Sequence, residues 1–204
     1  MVLRAYMRHF SFIAFFGLFG CTPLEERLEL FGVEWCADPR NESSACVTDG
    51  DTFSLADCAG SDQSQGQVEV IRLLGIDTPE MARDGSPEEC YGSEATEYLQ
   101  HVLQGRSFRL EFDQECFGTY ERTLAWVFIS GEADDPLKEE LDLLGGLGVQ
   151  EDGSFEVLVN ELMIRAGFAV VYEPEEDVRY FDRLMQAEQQ AMAADLGLWS
   201  SCDG

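Results

Sequence analysis

Side chains suited to phosphodiester chemistry surround a short apolar strand in the first half of the chain. Arg72 lies in that strand, and two carboxylates, Asp77 and Glu80, follow it. Asp51 lies upstream and Arg122 downstream. Guanidinium groups bind phosphate oxygens through paired hydrogen bonds, and a carboxylate can orient or deprotonate a water molecule. These residue types are the ones needed to stabilise charge on a phosphate while water attacks it.

Two aspartates are candidate ligands for a metal ion. Asp51 and Asp77 carry the hard oxygen atoms that Ca²⁺ and Mg²⁺ prefer. Pro79 biases the residue before it, Thr78, towards an extended backbone, which favours presentation of the Thr78 carbonyl as a third ligand. Glu80 is close enough in sequence to reach the same cavity as a general base. The predicted centre combines a metal site with a base and two phosphate-binding arginines.

Short strands and helices are predicted to position these groups. Alternation of apolar and polar residues predicts strands at 52–55, 67–74, 107–112, 123–129 and 168–172. Apolar stripes and stop signals predict helices at 93–103, 159–166 and 176–196. Ser93 is the predicted N-cap of the first helix, and Gly105 its stop signal. This order favours an α+β class, mainly β, built as a small closed barrel with helices packed on it, an OB-like arrangement.

Two segments interrupt this pattern. Residues 60–66 are predicted to form a polar hairpin turn between two strands. Residues 130–156 are an acidic, glycine-containing insertion, in which 137–144 can form a short helix. The carboxylates of the insertion could bind additional Ca²⁺, but a solvated loop is the simpler interpretation.

The first residues are predicted to be a targeting signal rather than part of the fold. A positively charged start precedes an apolar run at 10–19 that is too short to span a bilayer. Residues 18–21 resemble a bacterial lipoprotein cleavage box, in which Cys21 is lipidated; an ordinary secretory signal cut nearby is the alternative. Thr22 supplies no aspartate retention signal, so an outer-membrane lipoprotein is expected, anchored to the membrane rather than spanning it. The predicted segments are a signal peptide at 1–20, a tether with an irregular loop at 21–45, and a domain at 46–202.

The chain is strongly acidic. It has 40 Asp and Glu against 13 Lys and Arg, and a formal net charge of -27 at pH 7. Such a chain repels polyanions at long range. Any activity on nucleic acid must therefore depend on a local basic cluster or on bound cations. A soluble, salt-adapted surface accounts for most of the acidity.

The cysteines predict an exported, oxidised domain. Of the 7 cysteines, lipidation of Cys21 leaves an even number, for which three disulfides are the simple expectation. The sequence does not determine their pairing. Cys36 and Cys46 flank the irregular loop and can staple it, while Cys90 and Cys202 are placed to tie the C-terminus to the first helix. A zinc site is the weaker alternative, because the chain has no Cys-x-x-Cys motif.

The chain resembles the staphylococcal nuclease family. The matching segments occur in the family's order and lie at 49–52, 72–80, 91–95, 120–125, 159–162 and 197–199. The resemblance covers roughly residues 46–200. It implies a five-stranded OB-fold barrel with three packed helices. It also implies a Ca²⁺-dependent enzyme that hydrolyses phosphodiester bonds of DNA and RNA and leaves 3′-phosphate ends; we expect a monomer.

The resemblance also implies a role for each residue of the candidate centre. Glu80 would act on the attacking water, while Arg72 and Arg122 would bind and neutralise the phosphate. Tyr120 and Tyr172 would line the nucleotide pocket. The implied calcium ligands are Asp51, Asp77 and the carbonyl of Thr78.

Two positions depart from the family pattern and keep a second function open. Glu121 stands before the second arginine, where the family usually has glycine, and its carboxylate can pair with Arg122 or repel substrate. Thr119 stands where a lysine is often found, which would remove a phosphate contact. The alternative is a binding module for nucleic acid or protein that keeps the nuclease fold and has lost catalysis.

Overall fold

In the computed structural model, strands whose sequences alternate apolar and polar residues also alternate buried and partly exposed side chains. In strand β4 (Val70–Leu73), Ile71 and Leu73 are buried, whereas Arg72 faces away from the core and keeps partial exposure. Strand β6 (Phe108–Glu111) follows the same rule with Phe108 and Leu110 inside. Successive side chains of a strand point to opposite faces, so the core positions of β4 fix the direction of Arg72.

The structure describes residues 38–56, 58, 68–83, 85–113, 117–118, 120, 122–172 and 179–202, which belong to one compact unit, Trp35–Gly204. The remaining strands are β1 Arg40–Glu42, β2 Cys46–Asp49, β3 Thr52–Ser54, β5 Ile76–Asp77, β7 Thr123–Gly131, β8 Phe155–Leu158 and β9 Val170–Val171. The helices are α1 Gly92–Leu103, α2 Leu137–Leu143, α3 Val159–Arg165, α4 Phe181–Ala193 and the short α5 Leu198–Ser201. Within these ranges, the helices are all too short or too polar to cross a membrane.

The strands form one large sheet and one small one. The large sheet has seven strands in the order β1-β6-β7-β4-β3-β2, and β8 pairs with β7 beside this path. Strand β4 runs parallel to β7, and the other pairs in the sheet are antiparallel. The small sheet pairs β5 with β9. The fold is α+β and mainly sheet, as the sequence predicts.

The prediction of a closed five-stranded barrel with three helices is wrong in detail. The sheet is unclosed, and the described chain contains four helices of at least seven residues. Two local features explain the difference. The edge strands β1 and β2 do not pair with each other, although only residues 43–45 separate them in the chain. The insertion contributes helix α2 and leads into strand β8. The sequence did not predict β8 as a separate strand, because its apolar residues continue into the following helix.

The insertion at 130–156 packs against the first helix and is not merely a solvated loop. Leu137 and Leu141 of α2 are fully buried. Arg106, just after α1, donates a hydrogen bond from Nη2 to Asp135 at 2.7 Å. This contact lowers the pKa of the Asp135 carboxyl below its ordinary value. The insertion is therefore held in two places. The apolar face of α2 is buried in the domain, and Asp135, before α2, is paired with Arg106 after α1.

Helix α1 begins differently from the prediction. It starts at Gly92 after Tyr91, whose φ is +76°, and Ser93 lies inside the helix rather than at its N-cap. The Ser93 amide donates instead to the Glu88 carboxylate at 2.7 Å. A carboxylate at this position satisfies an orphan amide and complements the helix dipole. Gly105, with a φ of +70°, follows the end of the helix as predicted.

Two disulfides lie within the described chain. The predicted Cys90–Cys202 bridge is confirmed. The suggested pairing of Cys36 with Cys46 is wrong, because Cys46 bonds Cys58 on the other side of strand β3. Cys21, Cys36, Cys116 and the predicted turn at 60–66 lie outside the described residues.

Removal of the long disulfide is expected to cost substantial stability. Cys90 and Cys202 are separated by 112 residues, so the bridge removes much chain entropy from the unfolded state. We expect the double variant Cys90→Ser/Cys202→Ser to lose about 3 kcal/mol of unfolding free energy, measured by urea denaturation. The Cys46–Cys58 bridge joins residues separated by only 12 positions in the chain. The Cys46→Ser/Cys58→Ser variant, which lacks this bridge, is therefore the matched comparison. A larger loss from the short bridge than from the long one would contradict this expectation.

Candidate active site

A tight turn between β4 and β5 brings Arg72 and Asp77 together. Gly75 in this turn has a φ of +70°, and a Cβ atom there would lie 2.6 Å from Leu184. Glycine therefore satisfies both the backbone conformation and the close packing. Across the turn, Arg72 Nη2 donates to Asp77 Oδ1 at 2.8 Å. The turn thus converts a short separation in sequence into a direct ion pair.

Asp51 joins this pair from the turn between β2 and β3. Its residue is only 5% exposed, and its carboxylate forms an ion pair with Arg72. The same carboxylate accepts hydrogen bonds from the Thr78 amide at 3.2 Å and from the Thr52 hydroxyl at 2.9 Å. The Leu73 amide donates to the Asp51 carbonyl at 2.8 Å, which holds the turn on β4. Three separate segments therefore meet at one carboxylate.

Arg72 is a cation partly removed from water. Burial lowers the pKa of its guanidinium, and the nearby charge of Arg122 acts in the same direction. The carboxylates of Asp77 and Asp49 oppose this lowering of the pKa. Two arginines thus lie close enough for their charges to interact. An anion placed beside them would relieve that repulsion, as a phosphate would.

The chemistry of Asp51 and Asp77 fits a divalent cation. Both carboxylates converge on the same positive group, the Arg72 guanidinium, so their oxygens already face a shared site for positive charge. Hard carboxylate oxygens are the ligands that Ca²⁺ and Mg²⁺ take. At Thr78, it is the amide that contacts Asp51. In the described part of the chain, no group of three or more Asp, Glu, His or Cys side chains is arranged to hold a metal ion.

Glu80 is exposed in the loop after β5. Its amide donates to Glu89 Oε2 at 3.1 Å, and its carbonyl accepts from the Glu89 amide at 2.9 Å. The backbone of Glu80 is thus fixed on both sides while its side chain faces solvent. Such an arrangement leaves the carboxylate accessible to a water molecule, as a general base requires.

Arg122 and the two tyrosines occupy the outer part of the site. The Arg122 guanidinium carbon lies 5.9 Å from the centre of the Tyr120 ring. Tyr120 is 91% exposed, and Tyr172 is 59% exposed. The Tyr172 amide donates to the Gly75 carbonyl at 3.0 Å, which places Tyr172 beside the β4–β5 turn. Exposed aromatic rings next to a cationic pair are suited to contact the bases of a nucleic acid.

Three further residues, Asp49, Arg83 and Glu89, contact the candidate centre, and the sequence does not predict a role for them. Asp49 is buried and forms an ion pair with Arg83, and its Oδ1 accepts from the Asp51 amide at 3.4 Å. Glu89 binds the backbone of Glu80. Asp49 stood in a recognised motif and could have been considered. The contacts of Arg83 and Glu89 join residues on either side of a loop, and no local sequence pattern predicts them. Thr119 and Glu121 lie outside the described residues, so their effects stay predictions.

Most arginines away from the site are neutralised by carboxylates. The ion pairs are Arg40–Glu69, Arg106–Asp135, Arg109–Glu156, Arg179–Glu111 and Arg183–Glu161. A guanidinium that is already paired offers a weaker contact to phosphate, because the carboxylate repels the incoming anion. We therefore expect these five arginines to make only weak contacts with phosphate.

The chain is similar in sequence to known proteins. A family model described as "Staphylococcal nuclease homologue" matches residues 70–201. A thermonuclease of Staphylococcus intermedius is 31% identical over 165 residues, covering 79% of this chain and 79% of that protein. A thermonuclease of Staphylococcus hyicus is 30% identical over 155 residues, covering 76% of this chain and 73% of that protein.

A more distant relative has extra length of its own. The SPbeta prophage-derived endonuclease YokF of Bacillus subtilis (strain 168) is 29% identical over 155 residues, which cover 76% of this chain and 42% of that protein. The two thermonucleases, by contrast, match over most of their own length as well as most of this chain, and the family model matches more than half of this chain. The chain therefore belongs to the staphylococcal nuclease family.

Proposed function

We propose that the protein is a nuclease that hydrolyses phosphodiester bonds of DNA and RNA in a Ca²⁺-dependent reaction. The observation that carries this proposal is the convergence of Asp51, Asp77 and Arg72 on one point, with the charge of Arg122 nearby. Membership of the nuclease family, whose relatives are named thermonuclease and endonuclease, supports the same conclusion.

The two arginines bind the scissile phosphate in this mechanism. Guanidinium groups of Arg72 and Arg122 donate to the equatorial oxygens, on which negative charge increases as water attacks. Asp51 and Asp77, with the carbonyl of Thr78, would hold a divalent ion, which supplies further positive charge beside the phosphate. The exposed rings of Tyr120 and Tyr172 contact the nucleotide and orient it.

Glu80 completes the reaction as the base. Its carboxylate accepts a proton from the attacking water, whose oxygen then bonds to phosphorus. The bond between phosphorus and the 5′-oxygen breaks, and that oxygen takes a proton from solvent. The products are a 3′-phosphate end and a 5′-hydroxyl end. Labelling of the product ends distinguishes a 3′-phosphate from a 3′-hydroxyl and so tests this part of the proposal.

The test is digestion of single-stranded DNA by residues 22–204, with Ca²⁺ and with a chelator. We expect cleavage only with Ca²⁺ and a loss of at least about a hundredfold in Glu80→Gln and in Arg122→Ala. Glu97→Ala, exposed on α1 and outside the site, is the matched control and should cut like the parent. A folded, Ca²⁺-loaded parent that binds DNA without cutting it would instead favour the binding module.

Weak salt dependence is expected for substrate binding. Each phosphate neutralised by a protein cation contributes to the slope of log K against log salt concentration, roughly 0.7 per contact for a single strand. The chain has a formal net charge of -27, and the proposed mechanism places two guanidinium groups on the phosphate, so we expect a slope of about -1.5. Fluorescence anisotropy of a labelled oligonucleotide with Glu80→Gln measures it. A slope steeper than about -4 would contradict a local phosphate site.

The location of the protein is a further part of the proposal. Residues 1–21 support export and attachment of a lipid to Cys21, with the domain held at the outer membrane as a monomer. Expression of the full chain should place the protein in the membrane fraction, and Cys21→Ala should release it. Equal partitioning of both forms would refute lipid anchoring.

A further inference from the structure

We infer that Glu89 is a positioning residue for Glu80, held in place by the Cys90–Cys202 disulfide. This inference rests on the proposed function, since it concerns how the candidate base is oriented. Its first support is the pair of hydrogen bonds between the two glutamates. Glu80 donates its amide to the Glu89 carboxylate at 3.1 Å and accepts the Glu89 amide at its carbonyl at 2.9 Å.

The segment after Glu89 also packs directly on the backbone of Glu80. A Cβ atom at Gly92 would lie only 2.7 Å from the Glu80 carbonyl oxygen, so only glycine allows this approach. The Gly92 amide donates to the Glu89 carbonyl at 3.1 Å. The first turn of α1 is therefore seated against Glu80, and a shift of residues 89–92 would move the candidate base.

The disulfide connects this segment to the C-terminal end of the fold. Cys90 follows Glu89 directly, and its partner Cys202 ends the turn formed by α5. The Leu198 amide at the start of α5 donates to the Gly167 carbonyl at 2.8 Å, which ties α5 to the end of α3. A covalent bond thus attaches the Glu80–Glu89 contact to α5, which is hydrogen-bonded to the segment after α3. The exposed loop after β5 thus gains a covalent support in addition to its own hydrogen bonds.

A cavity beside the site is lined both by candidate metal ligands and by the disulfide. It has a volume of about 320 Å³, and its lining includes Asp77, Thr78 and Pro79 together with Glu89 and both bridged cysteines. The disulfide is thus a wall of the space next to the candidate metal ligands. Loss of the bridge would open this wall as well as release Glu89.

The test separates the hydrogen-bond acceptor at position 89 from its charge. Glu89→Ala removes the acceptor, whereas Glu89→Gln keeps an oxygen that can accept the Glu80 amide. We expect kcat to fall about tenfold in Glu89→Ala with KM within about twofold, because a misplaced catalytic group affects the chemical step. Glu89→Gln should recover kcat to within about threefold of the parent. The variant Cys90→Ser/Cys202→Ser, assayed below its unfolding transition, should lower kcat in the same way as Glu89→Ala.

Two results would overturn the inference. One is a kcat of Glu89→Ala within twofold of the parent, and the other is equal loss in Glu89→Ala and Glu89→Gln. Amide hydrogen exchange at Glu80, followed by NMR, tests the contact without reference to activity. Protection should fall in Glu89→Ala and persist in Glu89→Gln; unchanged protection in both would refute the contact. If the parent cuts no nucleic acid, the proposed function fails, while the exchange data still decide the positioning role.

Discussion

Replacement of Arg72 by alanine is expected to reduce cleavage of single-stranded DNA by about a thousandfold and to destabilise the fold. The loss of activity follows from removing a guanidinium that binds the phosphate in the proposed mechanism. The loss of stability has a separate cause. Asp51 is buried, and removal of its partner leaves a carboxylate with no opposing charge, which costs about 3 kcal/mol. Cleavage kinetics and urea denaturation measure the two effects on the same protein.

Arg72→Lys is the control that separates these effects. Lysine keeps the positive charge beside Asp51 but cannot form paired hydrogen bonds with a phosphate. We expect it to restore most of the stability and little of the activity. Arg72→Ala with parental stability would show that Asp51 is compensated by another group. Parental activity in either variant would remove Arg72 from the mechanism.

Asn160 is expected to be the most costly polar residue to replace. It is fully buried at the start of α3, and its side-chain carbonyl accepts from the Val127 amide at 3.0 Å. Its side-chain amide donates to the carbonyls of Leu74 at 2.9 Å and Ala125 at 3.2 Å. Asn160→Ala leaves three buried backbone groups without this partner and creates a cavity, so we expect a loss of about 4 kcal/mol. Urea denaturation followed by tryptophan fluorescence measures it.

The matched control is Asn41→Ala in the exposed strand β1. An exposed residue outside any buried network should change stability by less than about 0.5 kcal/mol. A loss below about 1 kcal/mol in Asn160→Ala would show that water replaces the lost hydrogen bonds. Because Leu74 adjoins the turn that carries Arg72 and Asp77, the folded fraction of Asn160→Ala should also cut more slowly than the parent.

The sequence predicted most elements near the site, and the misses have local causes. The strands around Arg72 and before Arg122, and the helix at 93–103, were predicted from apolar periodicity. Strand β1 was missed because Arg40–Glu42 is short and polar, and its pairing with β6 is decided by distant residues. Strand β8 was missed because it runs directly into α3, where apolar residues continue without a break.

The sequence predicts the candidate site as a set of residues, but it does not predict the contacts among them. Motif order identified the staphylococcal nuclease family, and the comparisons confirm it. The ion pairs of Arg72 with Asp51 and Asp77 depend on how two turns meet, which no local pattern encodes. The role of Asn160 is similar, since its three partners lie on β7 and at the end of β4. The sequence identifies residues 159–162 as a segment matching the family, but it does not show which contacts Asn160 makes.

The order of strands in the large sheet has a consequence for the speed of folding. Strand β1 pairs with β6, aligning Arg40 with Leu110, and β4 pairs in parallel with β7, aligning Ile71 with Thr123. Each of these two pairings requires the chain to close a long loop before the contacts of that pair can form. Chains dominated by such distant contacts fold in milliseconds to seconds rather than microseconds. We therefore expect the two halves of the centre, Asp51 with Arg72 and the segment of Arg122, to meet late in folding.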